Sequence, residues 1–182
     1  MEDKSQYPTY VVLGSGGHTA EMCEIIKSLF DNLPRAPDCY FIVAKTDDTS
    51  RKKVEETLDL KTKPHFVEIP RSRHVNQSYL TSIFTTLWAL LYCFYILLRD
   101  KPKMVLCNGP GTCVPICLVA ALYRFLHILH KDTKIVFVES FCRVNTLSLT
   151  GKILLPITDT FVVQWEPLAR NRKNVKYFGP LV

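Results

Sequence analysis

A chain of 182 residues, 47% hydrophobic and 22% charged, carries enough apolar material for one domain with a full core and too little length for two. Its net charge of +6 is modest and comes with no recognition helix or aromatic–basic module, which argues against nucleic acid as a partner. Residues 1–8 hold no apolar segment, so neither a signal peptide nor an N-terminal anchor is expected; they read as a flexible start, and residues 9–182 as the folded domain.

In chain order, Thr9–Leu13 is a short β-branched run ending in glycine and predicts the first strand. His18–Leu33 places Met22, Ile25, Ile26, Leu29, Phe30 and Leu33 at helical spacing, and Pro34 and Pro37 close it. Further strands are predicted at Tyr40–Ala44, His65–Ile69, Met104–Cys107, Ile135–Val138 and Thr160–Gln164, with a short last one at Lys176–Phe178. Thr112–His130 reads as a helix with Pro115 in its first turn, where a missing amide is tolerated. Short apolar strands separated by helices define an α/β fold, a Rossmann-like parallel sheet with helices on both faces. Ligands of such sheets bind outside the carboxyl ends of the strands, here the loops that begin at Gly14, Asn108 and Glu139.

Ile83–Leu98 contains twelve consecutive apolar or aromatic residues, Leu87–Leu98. A helix over the 16 residues Ile83–Leu98 reaches about 24 Å, short of a hydrocarbon core of about 30 Å, so spanning is not expected. Burial inside the domain is the first expectation. The second is one face against a membrane surface, which Trp88, Tyr92 and Tyr95 favour, and the two can both hold in part. The seven cysteines form no CxxC pair, and most lie in apolar runs, as expected of reduced, buried thiols. His127 and His130 lack co-ligands; no metal site is read and no cofactor is expected. Basic clusters at Arg51–Lys53, Arg71–Arg73 and Arg170–Lys176 are either solvated loops or attract anionic headgroups or a phosphorylated ligand.

Four segments carry candidate chemistry. Gly14-Ser15-Gly16-Gly17-His18-Thr19 follows a strand and opens a helix. Its glycines allow close backbone approach, its first helical amides face an anion, and Ser15 and Thr19 offer hydroxyls. It is neither a dinucleotide fingerprint nor a Walker loop. His18 stands where the turn becomes a helix, as a general base, a diphosphate ligand or a mere cap. Cys107-Asn108-Gly109-Pro110-Gly111-Thr112 is a second glycine-rich strand-to-helix turn, and together the two can cradle one diphosphate. In Val138-Glu139-Ser140-Phe141-Cys142-Arg143, Glu139 can accept a sugar hydroxyl or take a proton and Arg143 can meet phosphate, unless the two pair with each other. In Ile69-Pro70-Arg71-Ser72-Arg73-His74 two arginines follow a strand end, for phosphate or for solvent.

The ordered set GSGGHT, IPRSR, LCNGPGTCVP, VES-x-CRV-x-TLS and GKILL, spread over residues 9–182, resembles the membrane-anchoring, acceptor-binding subunit of the eukaryotic UDP-N-acetylglucosamine transferase of asparagine-linked glycosylation. That family is related to the N-terminal half of the bacterial GT-B glycosyltransferase that makes lipid II. The resemblance implies addition of the second N-acetylglucosamine to dolichol-diphosphate-N-acetylglucosamine, at the cytosolic face of the endoplasmic reticulum membrane. By position, Gly14, Ser15, Gly16, Gly17, His18 and Thr19, with Asn108, Gly109, Pro110, Gly111 and Thr112, match the turns that face the acceptor's diphosphate. The segment of Glu139 and Arg143 matches a turn at the cleft. His18 and Glu139 are the candidates for acceptor activation or positioning. The family's other subunit supplies the donor-binding half. The last residues, Phe178-Gly179-Pro180-Leu181-Val182, fall about where the first GT-B domain hands over to the second, so the working enzyme is expected to be a heteromer. Family members begin with a transmembrane helix that residues 1–8 do not supply; either the sequence is truncated there or this member relies on other membrane contacts, and without the anchor peripheral, partly electrostatic attachment is expected. The alternative is a non-catalytic scaffold that only recruits its catalytic partner to the membrane.

Overall fold

The computed structural model describes residues 8–34, 37–58, 64–71, 78–170 and 172–181. Among these, strands β1 (Thr9–Val12), β2 (Cys39–Ala44), β3 (His65–Ile69), β4 (Met104–Asn108), β5 (Lys134–Val138), β6 (Thr160–Val163) and β7 (Val175–Tyr177) form one sheet in the order β3-β2-β1-β4-β5-β6-β7. Every pairing is parallel. Val12 lies level with Ile42 on one side and Cys107 on the other, so β1, β2 and β4 end at the same edge. Strand order reverses between β1 and β4. That is the switch point at which adjacent loops diverge to opposite faces and leave a crevice.

Among the described residues six helices cover the sheet: α1 (Gly17–Asp31), α2 (Asp48–Thr57), α3 (Tyr79–Asp100), α4 (Cys113–Phe125), α5 (Leu149–Leu154) and α6 (Glu166–Ala169). Strand alternation separates two cores. Val11, Leu13 and Phe41 pack with Met22, Cys23, Ile25 and Ile26 of α1 and Val54 of α2. Tyr10, Val12, Ile42 and Cys107 face Cys93, Ile96 and Leu97 of α3 and Ile116 and Cys117 of α4. Each fully buried Ile, Leu or Met in these layers contributes roughly 1.5–3 kcal/mol.

Helix α2 lies outside the elements read from the sequence. Only Ser50 and Val54 of it are buried, so it has no apolar stripe. It is started by Asp47, whose side chain accepts from the Ser50 amide. Helix α4 stops at Phe125, short of His130. His127 adopts φ 59°, its amide donates to Arg124 O, and the Ile128 amide donates to Tyr123 O. This is a Schellman closure with histidine where glycine is usual, which left no stop signal in the sequence.

Helix α3 meets the expectation of burial on one face only. It has 22 residues, about 33 Å at 1.5 Å per residue, and is anchored by one face. Ala89, Cys93, Ile96 and Leu97 are buried, and the Tyr10 hydroxyl reaches Ile96 O at 3.1 Å and Asp100 Oδ2 at 2.5 Å. The opposite face exposes Phe84 (75%), Leu87, Trp88 (65%), Leu91 and Tyr95. By length and composition alone Ile83–Asp100 is sufficient to cross a membrane.

Candidate functional site

The two glycine-rich turns meet at the switch point. A side chain at Gly14 would come within 2.7 Å of Pro110 Cγ and 2.8 Å of His18 Cβ, so this close approach requires glycine. Gly109 has φ +70°, and the space beside its Cα is filled by the His18 imidazole. Gly16 caps α1 at φ +62° and ψ −119°, a conformation L side chains rarely adopt. Nothing lies within 4 Å of the positions a Cβ would take at Gly16, Gly17 or Gly111, so these glycines border open space. Ser15 and Gly17 are exposed, and Thr112 is half-buried at the start of α4.

The first amides of α1 have no carbonyl one turn back inside the helix and receive no side-chain cap, and Gly17 and His18 line the crevice. The start of α4 is different. The Cys113 amide donates to Pro110 O at 3.0 Å, the Val114 amide donates to Gly111 O at 3.1 Å, and Pro115 has none. The start of α4 therefore has its Cys113 and Val114 amides already bonded within the second turn.

Below the turns lies a cleft of about 370 Å³ lined by Gly17, His18, Glu21, Gly109, Glu139, Ser140, Cys142, Arg143 and Ser148. His18 is about a third exposed, and its Nδ1 is buried without a hydrogen-bond partner. Arg143, on the loop after β5, is exposed, and no ion pair joins it to Glu139 among the described residues. A group of three or more His, Cys, Asp or Glu side chains arranged for a metal ion is absent among the described residues.

Two expected ligands point inward instead. Thr19 is buried; its hydroxyl donates to Gly14 O and lies 2.7 Å from Ser50 Oγ, which itself lies 2.8 Å from Asp47 Oδ2. Thr19 thus fastens the glycine turn to α2. Glu139 stands at the strand edge as read, but its side chain is fully buried. Its Oε1 accepts from the Ser140 amide at 3.2 Å, and its Oε2 accepts from the Ser148 amide at 2.9 Å and Ser148 Oγ at 3.1 Å. Gly151 packs so closely that a Cβ there would fall 2.5 Å from Glu139 Oε2. Burial and three donors commit this carboxylate to holding the loop after β5 and the start of α5, which corrects the expectation that it removes a proton. Of the fourth segment, Arg71 is half-buried, and Ser72, Arg73 and His74 lie outside the described residues.

One functional candidate escaped the sequence reading. Glu21, one turn after His18 on α1, accepts from Asn108 Nδ2 at 2.9 Å and from Ser140 Oγ at 2.9 Å, with His18 Nδ1 4.0 Å away. A single carboxylate therefore ties the ends of β4 and β5 to α1. The His18-x-x-Glu21 spacing, which sets both on one helix face, was the available signal.

A parallel sheet in this order, with its crevice built from two glycine turns, is a Rossmann-like domain whose fold matches about half of each of several larger solved chains. Similar folds occur in MurG of Acinetobacter baumannii, with TM-score 0.67 and 13% identity over 93% of this chain and 45% of that one. A UDP-N-acetylglucosamine 2-epimerase gives TM-score 0.63 and 15% identity over 96% and 48% of the two chains. At the level of sequence, residues 9–181 match the family described as "Oligosaccharide biosynthesis protein Alg14 like". The "UDP-N-acetylglucosamine transferase subunit ALG14" of Mus musculus is 44% identical over 94% of this chain and 82% of its own length. The subunit of the same name from Homo sapiens is 43% identical over the same shares, and that of Schizosaccharomyces pombe 43% identical over 93% and 80%. The chain belongs to the Alg14-like family.

Proposed function

We propose that this chain is the acceptor-binding subunit of a heteromeric UDP-N-acetylglucosamine transferase. It acts on dolichol-diphosphate-N-acetylglucosamine at the cytosolic face of the endoplasmic reticulum membrane. The observation that carries the reading is the junction of the two glycine turns, which sets the free amides of α1 and the His18 side chain around one cleft. Relatives are named as subunits of a UDP-N-acetylglucosamine transferase, so the donor-binding half is assigned to a partner.

The diphosphate of the acceptor sits against the amides of Gly17 and His18, with the hydroxyl of Ser15 and the guanidinium of Arg143 adding charge-assisted bonds. Asn108, Gly109, Gly111 and Thr112 shape the opposite wall. His18 faces the sugar hydroxyl. The oxygen of that hydroxyl attacks the anomeric carbon of the donor, the bond from that carbon to UDP breaks with its electron pair leaving on UDP, and the hydroxyl proton moves to His18.

In a parallel α/β sheet the crossover helices run antiparallel to the strands, so the start of α3 lies at the ligand edge. Phe84, Leu87 and Trp88 project there. A face anchored to the sheet on one side and apolar on the other suits a helix lying in the membrane interface, beside which a polyprenyl tail can leave the cleft. The test is co-expression with a donor-binding partner followed by transfer to a dolichol-type acceptor. The pair is expected to be active, and each chain alone inactive. In the pair, His18→Ala is expected to lower kcat by about 10²–10⁴-fold with co-purification intact. Normal turnover of that variant favours the scaffold role.

A further inference from the structure

The cleft holds a carboxylate that the reading above leaves without a task. Glu21 is nearly buried, its side chain 13% exposed, in the wall of the cleft. Its two oxygens are shared among three chain segments. Oε1 takes the Ser140 hydroxyl from beyond β5, and Oε2 takes the Asn108 amide from the end of β4. Oε2 also stands 4.0 Å from His18 Nδ1, a buried nitrogen with no other partner. Because Nδ1 is sealed, the exposed third of the imidazole includes its opposite edge, where Nε2 is the nitrogen left to meet a ligand. The ring itself is braced against Gly109.

We infer that Glu21 is the positioning residue for His18. It receives the Nδ1 proton, so fixing the tautomer that leaves Nε2 unprotonated toward the acceptor hydroxyl, and it locks the ring angle through Asn108 and Ser140. The separation of 4.0 Å exceeds a hydrogen bond. A small rotation of either side chain closes it when acceptor fills the cleft. When Nε2 takes the hydroxyl proton, the carboxylate faces the imidazolium that forms, as carboxylates behind catalytic histidines do elsewhere. The other charged groups facing His18 are Arg143 and, with its oxygens already occupied, Glu139, both from the segment after β5. This inference rests on the proposed role of His18 and assigns a residue that acts through it.

A double-mutant cycle in the reconstituted heteromer tests it, with His18→Ala, Glu21→Gln and the pair of substitutions. Glu21→Gln keeps size and can still bond Asn108 and Ser140, but it removes the charge. It is expected to lower kcat by at least about tenfold with acceptor KM within about twofold. In the His18→Ala background the same change is expected to have no further effect on kcat, because its route of action is gone. Equal effects of Glu21→Gln in both backgrounds overturn the inference while leaving His18 in place. If His18→Ala alone turns over normally, the parent reading fails first. Should Glu21→Gln not co-purify with the partner, Glu21→Asp replaces it in the cycle. It keeps the charge but draws it back by one methylene, and the same loss of effect without His18 is expected.

Discussion

Asn108 donates from Nδ2 to Glu21 Oε2 at 2.9 Å, across the point where strand order reverses. Two residues 87 positions apart thereby lock the second glycine turn to the helix that follows the first. The cleft is defined by that lock and by the packing of His18 on Gly109.

Gly109 is the tightest point of the arrangement. A methyl group there collides with the imidazole, and φ +70° is strained for alanine. Gly109→Ala is expected to cost about 1–3 kcal/mol of stability and to displace His18, lowering kcat more than tenfold. Thermal melts and transfer kinetics on the same preparation check both parts.

The thiols give a second outcome. Cys23, Cys39, Cys93, Cys107, Cys113 and Cys117 are buried, and Cys142 is exposed. Burial raises the Cys23 thiol to about 11 and those of Cys39 and Cys93 to about 12. Burial likewise raises Cys107 and Cys113; for Cys117 the hydrogen bond with Cys107 leads, with burial adding. Only the thiolate reacts, so a neutral thiol reagent is expected to modify Cys142 alone in the native protein. Since Cys142 lines the cleft, a bulky maleimide there should block acceptor use. Mass spectrometry before and after unfolding counts the labelled sites.

How far the sequence discloses this molecule depends on what each residue contacts. The β-branched runs and the apolar stripe of α1 are local signals, and all seven strands were legible within a residue or so. Helix α2 was not, because its one apolar contact, Val54, leaves no period. The end of α4 was missed because His127 takes the left-handed position without being glycine. The glycine turns could be recognised, but the inward rotation of Thr19 and Glu139 could not. Each is held by partners from distant segments or by burial that a strand-end position does not reveal. For Glu21 the spacing to His18 was legible, but its bonds to Asn108 and Ser140 were not, since they depend on β4 and β5 arriving beside α1.

The exposed face of α3 leads to a third expectation. With Phe84 and Trp88 projecting 75% and 65% into solvent, attachment to bilayers should rest on apolar contact more than on charge. Phe84→Glu with Trp88→Glu is expected to reduce binding to liposomes of endoplasmic reticulum lipids at least tenfold, while high salt alone removes little of the wild type. Release of the wild type by salt alone would return the weight to the basic clusters.

A fourth concerns the anchor of α3. Burial opposes ionisation of Asp100, but hydrogen bonds from Arg99 and Tyr10 outweigh it, and the carboxyl is held below its usual value. A lowered native pKa adds stability above the unfolded value of about 3.9, and that stability fades as pH falls through the native value. Asp100→Asn is therefore expected to cost about 1–3 kcal/mol near neutrality, a difference that shrinks in acid. Urea unfolding at neutral and acidic pH measures it.

The central claim is that this chain holds the lipid-linked acceptor. Its most direct test is equilibrium binding of a short-chain polyprenyl-diphosphate-N-acetylglucosamine to the purified chain, without partner and without UDP-sugar. Saturable binding, weakened at least tenfold by the charge reversal Arg143→Glu and unaffected by excess UDP-N-acetylglucosamine, is the result predicted. Absence of binding to the folded chain, with full binding to the partner alone, would contradict it.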